Sequence, residues 1–167
     1  MGDALAASVP QTTPAREVVL RLHDGSTRKV RITDQEVDYP DGKLIVSRTD
    51  LQGIITHVNP AFVEMSGWER DELIGAPHHI LRHPDMPAAA FKDLWDTVRR
   101  GDKWQGYVKN LRKDGSHYWV YATAIPNVRS GEVVGYTSVR RKPSRSKVTE
   151  HAELYARLIA EEGRTTS

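Results

Sequence analysis

Apolar and polar positions alternate with period two at the start of the patterned part of the chain. Val18, Leu20 and Leu22 alternate with polar neighbours, and Val30 and Ile32 do so again after His23-Asp24-Gly25-Ser26. Alternation on both sides of Asp-Gly predicts a β-hairpin over 17–33. Tyr39-Pro40-Asp41-Gly42 then marks a turn-rich joint. Leu44–Arg48 and Gly53–Val58 predict two short strands linked through Thr49–Gln52. The period then changes to that of a helix. Pro60–Ser66 starts on a proline, whose missing N–H costs nothing there. Glu69–Ile74 is ended by Gly75, and Pro77–Leu81 is long enough for one turn. The longest helix is predicted over Pro87–Arg100, with Phe91, Leu94, Trp95 and Val98 on one stripe and Gly101 as its stop. Three strands follow, Trp104–Arg112, Ser116–Ile125 and Val133–Arg141, separated by Lys113-Asp114-Gly115 and by Pro126–Gly131. Ser144–Glu162 closes the pattern as an amphipathic helix with Val148, Leu154, Leu158 and Ile159 on its apolar side and Ser144 or Ser146 as N-cap. This order predicts an α+β fold, a five-stranded antiparallel sheet with helices over one face, plus an N-terminal hairpin and a C-terminal helix. The expected divisions are a flexible polar tail over 1–16, the hairpin and joint over 17–43, the main domain over 44–143, and the terminal helix and tail over 144–167.

Composition removes several function classes. The 24 Lys+Arg against 22 Asp+Glu give a net charge of +2, which argues against a nucleic-acid binder that works by phosphate neutralisation. With no cysteine there is no disulfide, no thiolate metal site and no thiol nucleophile. No apolar run approaches the ~20 residues of a membrane span, and no secretory signal opens the chain. The expectation is a cytoplasmic protein without a membrane segment. Four Trp and six Tyr against two Phe are aromatics with a polar handle, suited to sites that are apolar at one end and wet at the other.

The run Thr49–Gly75 (TDLQGIITHVNPAFVEMSGWERDELIG) resembles the opening half of a PAS domain, Lys109–Pro126 its second hairpin and Gly131–Ser144 its last strand. Within that superfamily, Ile80–Pro87 (ILRHPDMP), followed by AFKDLW, WQGYVKN and HYWV, is similar to the aerotaxis-receptor type. The resemblance covers about residues 44–145. It implies a PAS fold, FAD as cofactor, redox sensing rather than enzymatic activity, and signalling through a homodimer or a partner. The aerotaxis type continues into a membrane anchor and a methyl-accepting domain that this sequence lacks, so the expectation is a stand-alone sensor or a piece of a longer one.

A flavin needs a flat apolar slot, hydrogen-bond partners for its polar edge and compensation for its phosphates. Alternation places Trp104, Gly106, Val108 and Asn110 on one face of their strand, Tyr118, Val120, Ala122 and Ala124 on one face of the next, and Tyr136, Ser138 and Arg140 on one face of the last. The resemblance turns these faces to the cofactor. Gly106 and Ala122 then make room, Val108 and Val120 line the slot and Trp104 covers a ring. Asn110 offers a donor and an acceptor from one amide, matching the pyrimidine edge of a flavin; its other reading is a strand-end residue entering the turn. Arg82 is placed to reach a phosphate. His83 and Asp85 are carried over from the aerotaxis type as FAD-binding, with loop locking and helix capping as their structural readings. Trp95 is either core or a ring contact, and Asn59 either a helix N-cap or a ligand. Ser138 and Arg140 are the polar groups expected nearest the redox change, because their strand leads through Lys142-Pro143 into the terminal helix; Arg140 as a solvated strand-end residue stays open.

Aligned by Gly75 and Leu81, His78 falls where light-sensing flavin PAS domains carry a reactive cysteine, so thioether photochemistry is not expected. No metal is expected: His78, His79 and His83 lack a further ligand set for zinc. The longest helix has no histidine for a haem, which leaves a haem gas sensor as the weakest reading. The alternative to a flavin sensor is a cofactor-free PAS module for dimerisation or partner binding. In that reading His117, Trp119 and Tyr121 form an outer-face aromatic patch that is covered by the hairpin, by the terminal helix or by a partner.

Overall fold

The computed structural model describes residues 14–22 and 25–166. The tail expected over 1–16 therefore falls largely outside the described residues, as do His23 and Asp24 of the predicted turn. Strands β1 (Arg16–Arg21) and β2 (Thr27–Ile32) form a separate two-stranded hairpin. The main sheet contains β3 (Ile45–Thr49), β4 (Ile55–Val58), β5 (Trp104–Leu111), β6 (His117–Arg129) and β7 (Glu132–Arg141) in the order β4-β3-β7-β6-β5. Every neighbouring pair is antiparallel. Between β4 and β5 lie α1 (Pro60–Ser66), α2 (Arg70–Leu73), a 3-10 turn (His78–Leu81) and α3 (Ala88–Arg99), and α4 (Arg145–Thr166) ends the chain. The sequence reading of the fold class holds.

The start of α1 shows how local chemistry sets the helix layer. Asn59 Oδ1 accepts from Phe62 N at 3.0 Å, capping the helix, and from Val46 N at 3.1 Å, while its Nδ2 donates to Leu44 O at 2.9 Å. One side chain thus joins β3 to α1. Gly67, at φ 75°, ends the helix in the left-handed conformation that a side chain would resist. At the other end of the domain, Ser144 Oγ accepts from Lys147 N at 3.3 Å and opens α4.

The reading differs from the structure in the extent of one strand. Strand β6 does not stop before Pro126. It runs to Arg129, with Pro126 opposite Tyr136, and turns at Ser130 (φ 51°) and Gly131 (φ 80°). Proline is tolerated there because β5 ends at Trp104 opposite Ala124, so β6 has become an edge. Of the covers open for the outer sheet face, the hairpin is not the one used. Leu20, Leu22, Val30 and Ile32 form a small core on Leu111 instead. The outer face is covered by α4, whose Tyr155 ring stacks on Trp119 at 6.2 Å and whose Tyr155 hydroxyl donates to Tyr107 O at 2.6 Å. The joint also helps, pairing Gln35 and Val37 with the backbone of His117.

Replacing Asn59 with Ala should lower stability by about 1–2 kcal/mol, the cost of a lost cap. Equilibrium urea unfolding measures it.

Candidate functional site

Helix α3, the 3-10 turn and the loops around them leave a cavity of about 1230 Å³ between them and the strands. That exceeds the roughly 300–1,000 Å³ of ordinary small-molecule sites. The inward positions of four strands form its floor: Ser47 and Thr49 on β3, Val108 and Asn110 on β5, Ala122 and Ala124 on β6, and Tyr136, Ser138 and Arg140 on β7. Register brings them together, with Ser138 opposite both Ser47 and Ala124, and Arg140 opposite Ile45 and Ala122. The small residues of β6 keep the floor open, while Phe91, Leu94 and Trp95 on α3 face it from above.

Arg140 dominates the electrostatics. It is only 3% exposed, and no carboxylate pairs with it among the described residues. Its Nη2 donates to Ser47 Oγ at 3.0 Å and to His78 Nε2 at 2.9 Å. Because a guanidinium only donates, His78 Nε2 must accept, which puts the imidazole proton on Nδ1. Burial, and then the nearby Arg140 charge, push the His78 pKa down to about 3, so the ring stays neutral. Burial lowers Arg140 itself to about 10, leaving it charged at neutral pH. Its Nη1 has no partner.

Three other buried polar atoms on the cavity wall share that condition: Asn110 Nδ2, Thr49 Oγ1 and Arg82 Nε. The Tyr118 hydroxyl lies beside Asn110 without hydrogen-bond geometry. Buried polar groups are ordinarily paired, so four unsatisfied atoms on one cavity wall fit a ligand with a polar, hydrogen-bonding rim. Next to them lie the apolar surfaces of Val108, Leu94 and Trp95, suited to a flat ring system.

Of the residues singled out by sequence, Arg82, Trp95, Asn110, Ser138 and Arg140 line the cavity. Arg140 is not a solvated strand end. Arg82 lies with its Cζ 4.7 Å above the Phe91 ring, and Trp95 makes an edge contact with Tyr136 at 5.5 Å. The other five are not on the wall. Asn59 is used up as the α1 cap. Trp104 donates its indole N–H to Asp93 Oδ2 at 2.9 Å, bolting α3 to β5. Its ring also fills the space over Gly106, where an added Cβ would meet it at 2.5 Å, so that glycine makes room for Trp104 and not for a ligand. Val120 is completely buried in the core. His83 and Asp85 belong to a separate cluster beside β5. His83 Nδ1 accepts from Asp85 N at 3.0 Å, Asp85 pairs with Lys109 at 2.7 Å, and the His83 ring meets His117 edge-on at 5.7 Å. Asp85 does not cap α3. Glu162 of α4 does so, accepting from Ala88 N at 3.1 Å and Ala89 N at 3.0 Å.

Sequence reasoning missed Ser47 and Thr49, although their alternation with Ile45 on a strand would have placed two hydroxyls on the inward face. Treated there as a missing cysteine, His78 proves to be the hydrogen-bond partner of Arg140. Nothing in the sequence signals Glu162, which acts across 74 positions.

Residues 55–140 match the PAS fold family. The chain is 47% identical over 135 residues to the aerotaxis receptor of Escherichia coli (strain K12), a match spanning 81% of this chain and 26% of the receptor, about a quarter of its length. In structure it is similar to the blue-light photoreceptor Aureochrome1 LOV in its light state, with a TM-score of 0.58 at 22% identity, over 71% of this chain and 91% of that one. A light-oxygen-voltage domain studied with a flavin analogue gives a TM-score of 0.55 at 22% identity, over 74% and 87%. These two are likenesses of fold.

The buried histidines set an acid limit. The His78 and His83 pKa values are held at about 3, by burial first and then by Arg140 for His78 and Lys109 for His83. Unfolding returns each to about 6.5. The unfolded state therefore binds more protons between those values, and stability is lost as pH falls below 6.5. Replacing His78 with Gln keeps an acceptor for Arg140 and removes one proton site. Urea titrations from pH 6 to 4 should show a shallower fall by about 1.4 kcal/mol per pH unit.

Proposed function

The chain belongs to the PAS family, and on that footing we propose that its cavity binds a flavin, FAD, and that the domain reports cellular redox or oxygen-linked state as a sensor, not an enzyme. The observation that carries this reading is the Arg140 guanidinium, which has no counter-ion among the described residues and faces the cavity with its Nη1 unpartnered. Kinship with the aerotaxis receptor supports it, as does the fold shared with a flavin-studied light-oxygen-voltage domain. The absence of cysteine takes thiol photochemistry away and leaves redox change as the signal.

Bound FAD would supply a reversible redox centre whose ring system gains negative charge on reduction. Arg140 provides the fixed positive charge for that change. Ser47 and His78 hold its guanidinium from one side, and Asn110 and Thr49 offer amide and hydroxyl groups to a polar ring edge. Arg82, stacked on Phe91, is placed to neutralise phosphate. Trp95, Leu94 and Val108 exclude water from an apolar slot.

The route outward runs along β7. The Tyr39 hydroxyl lies 2.8 Å from Arg140 O and 2.7 Å from Lys43 O, tying the joint to the same residue. Lys142, two residues on, pairs with Asp41 at 2.6 Å, and Pro143 leads into α4. A charge-assisted hydrogen bond is worth about 1.5–3 kcal/mol, enough to shift the docking of a helix between two populated states. Undocking α4 would bare Trp119 and Tyr107 to a second copy of the chain or to a signalling partner.

Purified protein should be yellow, or become so with added FAD, with flavin absorbance that dithionite bleaches; a colourless protein that takes up no flavin overturns the reading. Replacing Arg140 with Gln should lower the flavin midpoint potential by roughly 30–60 mV, the equivalent of one charge-assisted hydrogen bond in a two-electron couple. Hydrogen exchange of α4 should then lose its dependence on redox state; unchanged dependence would show that Arg140 is not the relay.

A further inference from the structure

Five consecutive residues of the hairpin, Val18–Leu22, border the cavity. Successive strand side chains point to opposite faces, so an unbroken run on the wall means that β1 presents its edge. Register identifies the main-chain groups on that edge. Leu22 N donates to Ser26 O, and the antiparallel register continues through Arg21 opposite Thr27 and Val19 opposite Lys29. Hydrogen-bonded and non-hydrogen-bonded pairs alternate along such a ladder, which makes Arg21 and Val19 the non-bonded positions. Their N–H and C=O groups point away from β2 toward the cavity side. Among the described residues, no backbone hydrogen bond outside the strand ladders uses them.

The hairpin is held in place. Leu20 and Leu22 are buried on Leu111, and Arg28 donates to His79 O at 3.3 Å and Ile80 O at 3.5 Å, gripping the turn that precedes Arg82. It also lies outside residues 55–140, which match the family, and it adds wall to a cavity larger than one ring system needs. A free strand edge offers donors and acceptors side by side. Adenine presents a complementary acceptor and donor on its N7/N6 edge.

From this geometry we propose that the edge of β1 is the subsite for the adenine end of the bound dinucleotide, and that it makes the domain select FAD over FMN. The inference rests on the flavin reading above and adds the specificity element. Val19 N–H and C=O are the recognising groups, and Arg28 is a positioning residue that holds the strand against the cavity.

Equilibrium binding of FAD and of FMN to the apoprotein, followed by flavin fluorescence, tests the inference on the full chain. Wild type should bind FAD at least ~10-fold more tightly than FMN, as several added contacts require. Val19→Pro deletes the outward N–H and leaves the β1–β2 hydrogen bonds intact, because edge positions tolerate proline. It should weaken FAD roughly five- to tenfold, the size of one neutral hydrogen bond, and leave FMN unchanged. Arg28→Ala should speed FAD release and leave FMN release unchanged; it keeps the test valid if the proline variant melts early. Equal affinity of wild type for FAD and FMN overturns the inference and leaves the flavin reading standing. So does parallel weakening of both flavins by either variant. Failure of wild type to bind either flavin overturns the flavin reading, and this inference with it.

Discussion

A guanidinium held inside the protein without a counter-ion constrains everything around it. Removing such a charge from water costs several kcal/mol even after the surroundings relax, and Arg140 recovers part of that only through Ser47, His78 and the face of Phe62, 5.2 Å from its Cζ. Each partner fixes another element. Ser47 requires β3 beside β7 in its observed register, and His78 requires the 3-10 turn to sit over the sheet. Phe62 requires α1, which in turn requires the Asn59 cap. His78 must also be neutral to accept the bond, and burial provides for that. The cavity is the remaining side of the same charge, where a proton of the guanidinium has nothing to donate to.

The sheet and its helices provide the floor and roof of that cavity, but elements at the two ends of the chain complete its rim. The β1 edge borders it through the grip of Arg28 on the His78–Leu81 turn. Helix α4 reaches it with Ile159 and Glu162 after crossing the outer face, where Tyr155 anchors it on Trp119. Inner cavity and outer face are therefore linked twice, once through β7 and Pro143 and once through the Glu162 carboxylate at the start of α3.

The strand pattern was readable because period-two alternation survives in a sheet with one face on the core. Alternation puts Ser138 and Arg140 on one face of their strand and Asn110 on one face of its own, and the resemblance to flavin PAS domains turns those faces to the same side. Arg82 and Trp95 were readable from their loop and their helical stripe. Asn59, His83 and Asp85 are ambiguous in the sequence for a shared reason. A side chain able to bind a cofactor is equally able to satisfy a backbone amide, and only the fold decides between the two. Trp104 and Val120 lie on the cavity-facing side of their strands, but the ring of Trp104 lies over Gly106 and Val120 is fully buried in the core. Glu162 and the covering of the outer face by α4 depend on how distant segments dock, which no local pattern encodes. The extension of β6 through Pro126 was hidden because a proline halts a strand only where its N–H is needed.

That extension shapes the far end of the sheet. Beyond Ala124, β6 is the sheet edge, and past Pro126 it continues with β7 as a two-stranded ribbon; Ile125, Val128 and Val134 are exposed there. An apolar ribbon with an open edge is a template for strand addition and aggregation. Here the edge begins with a residue that has no amide hydrogen, and the register shift between Asn127 and Val128 bends the backbone just after it. The ribbon therefore keeps an apolar tip whose β6 edge offers a further strand a broken ladder of hydrogen bonds.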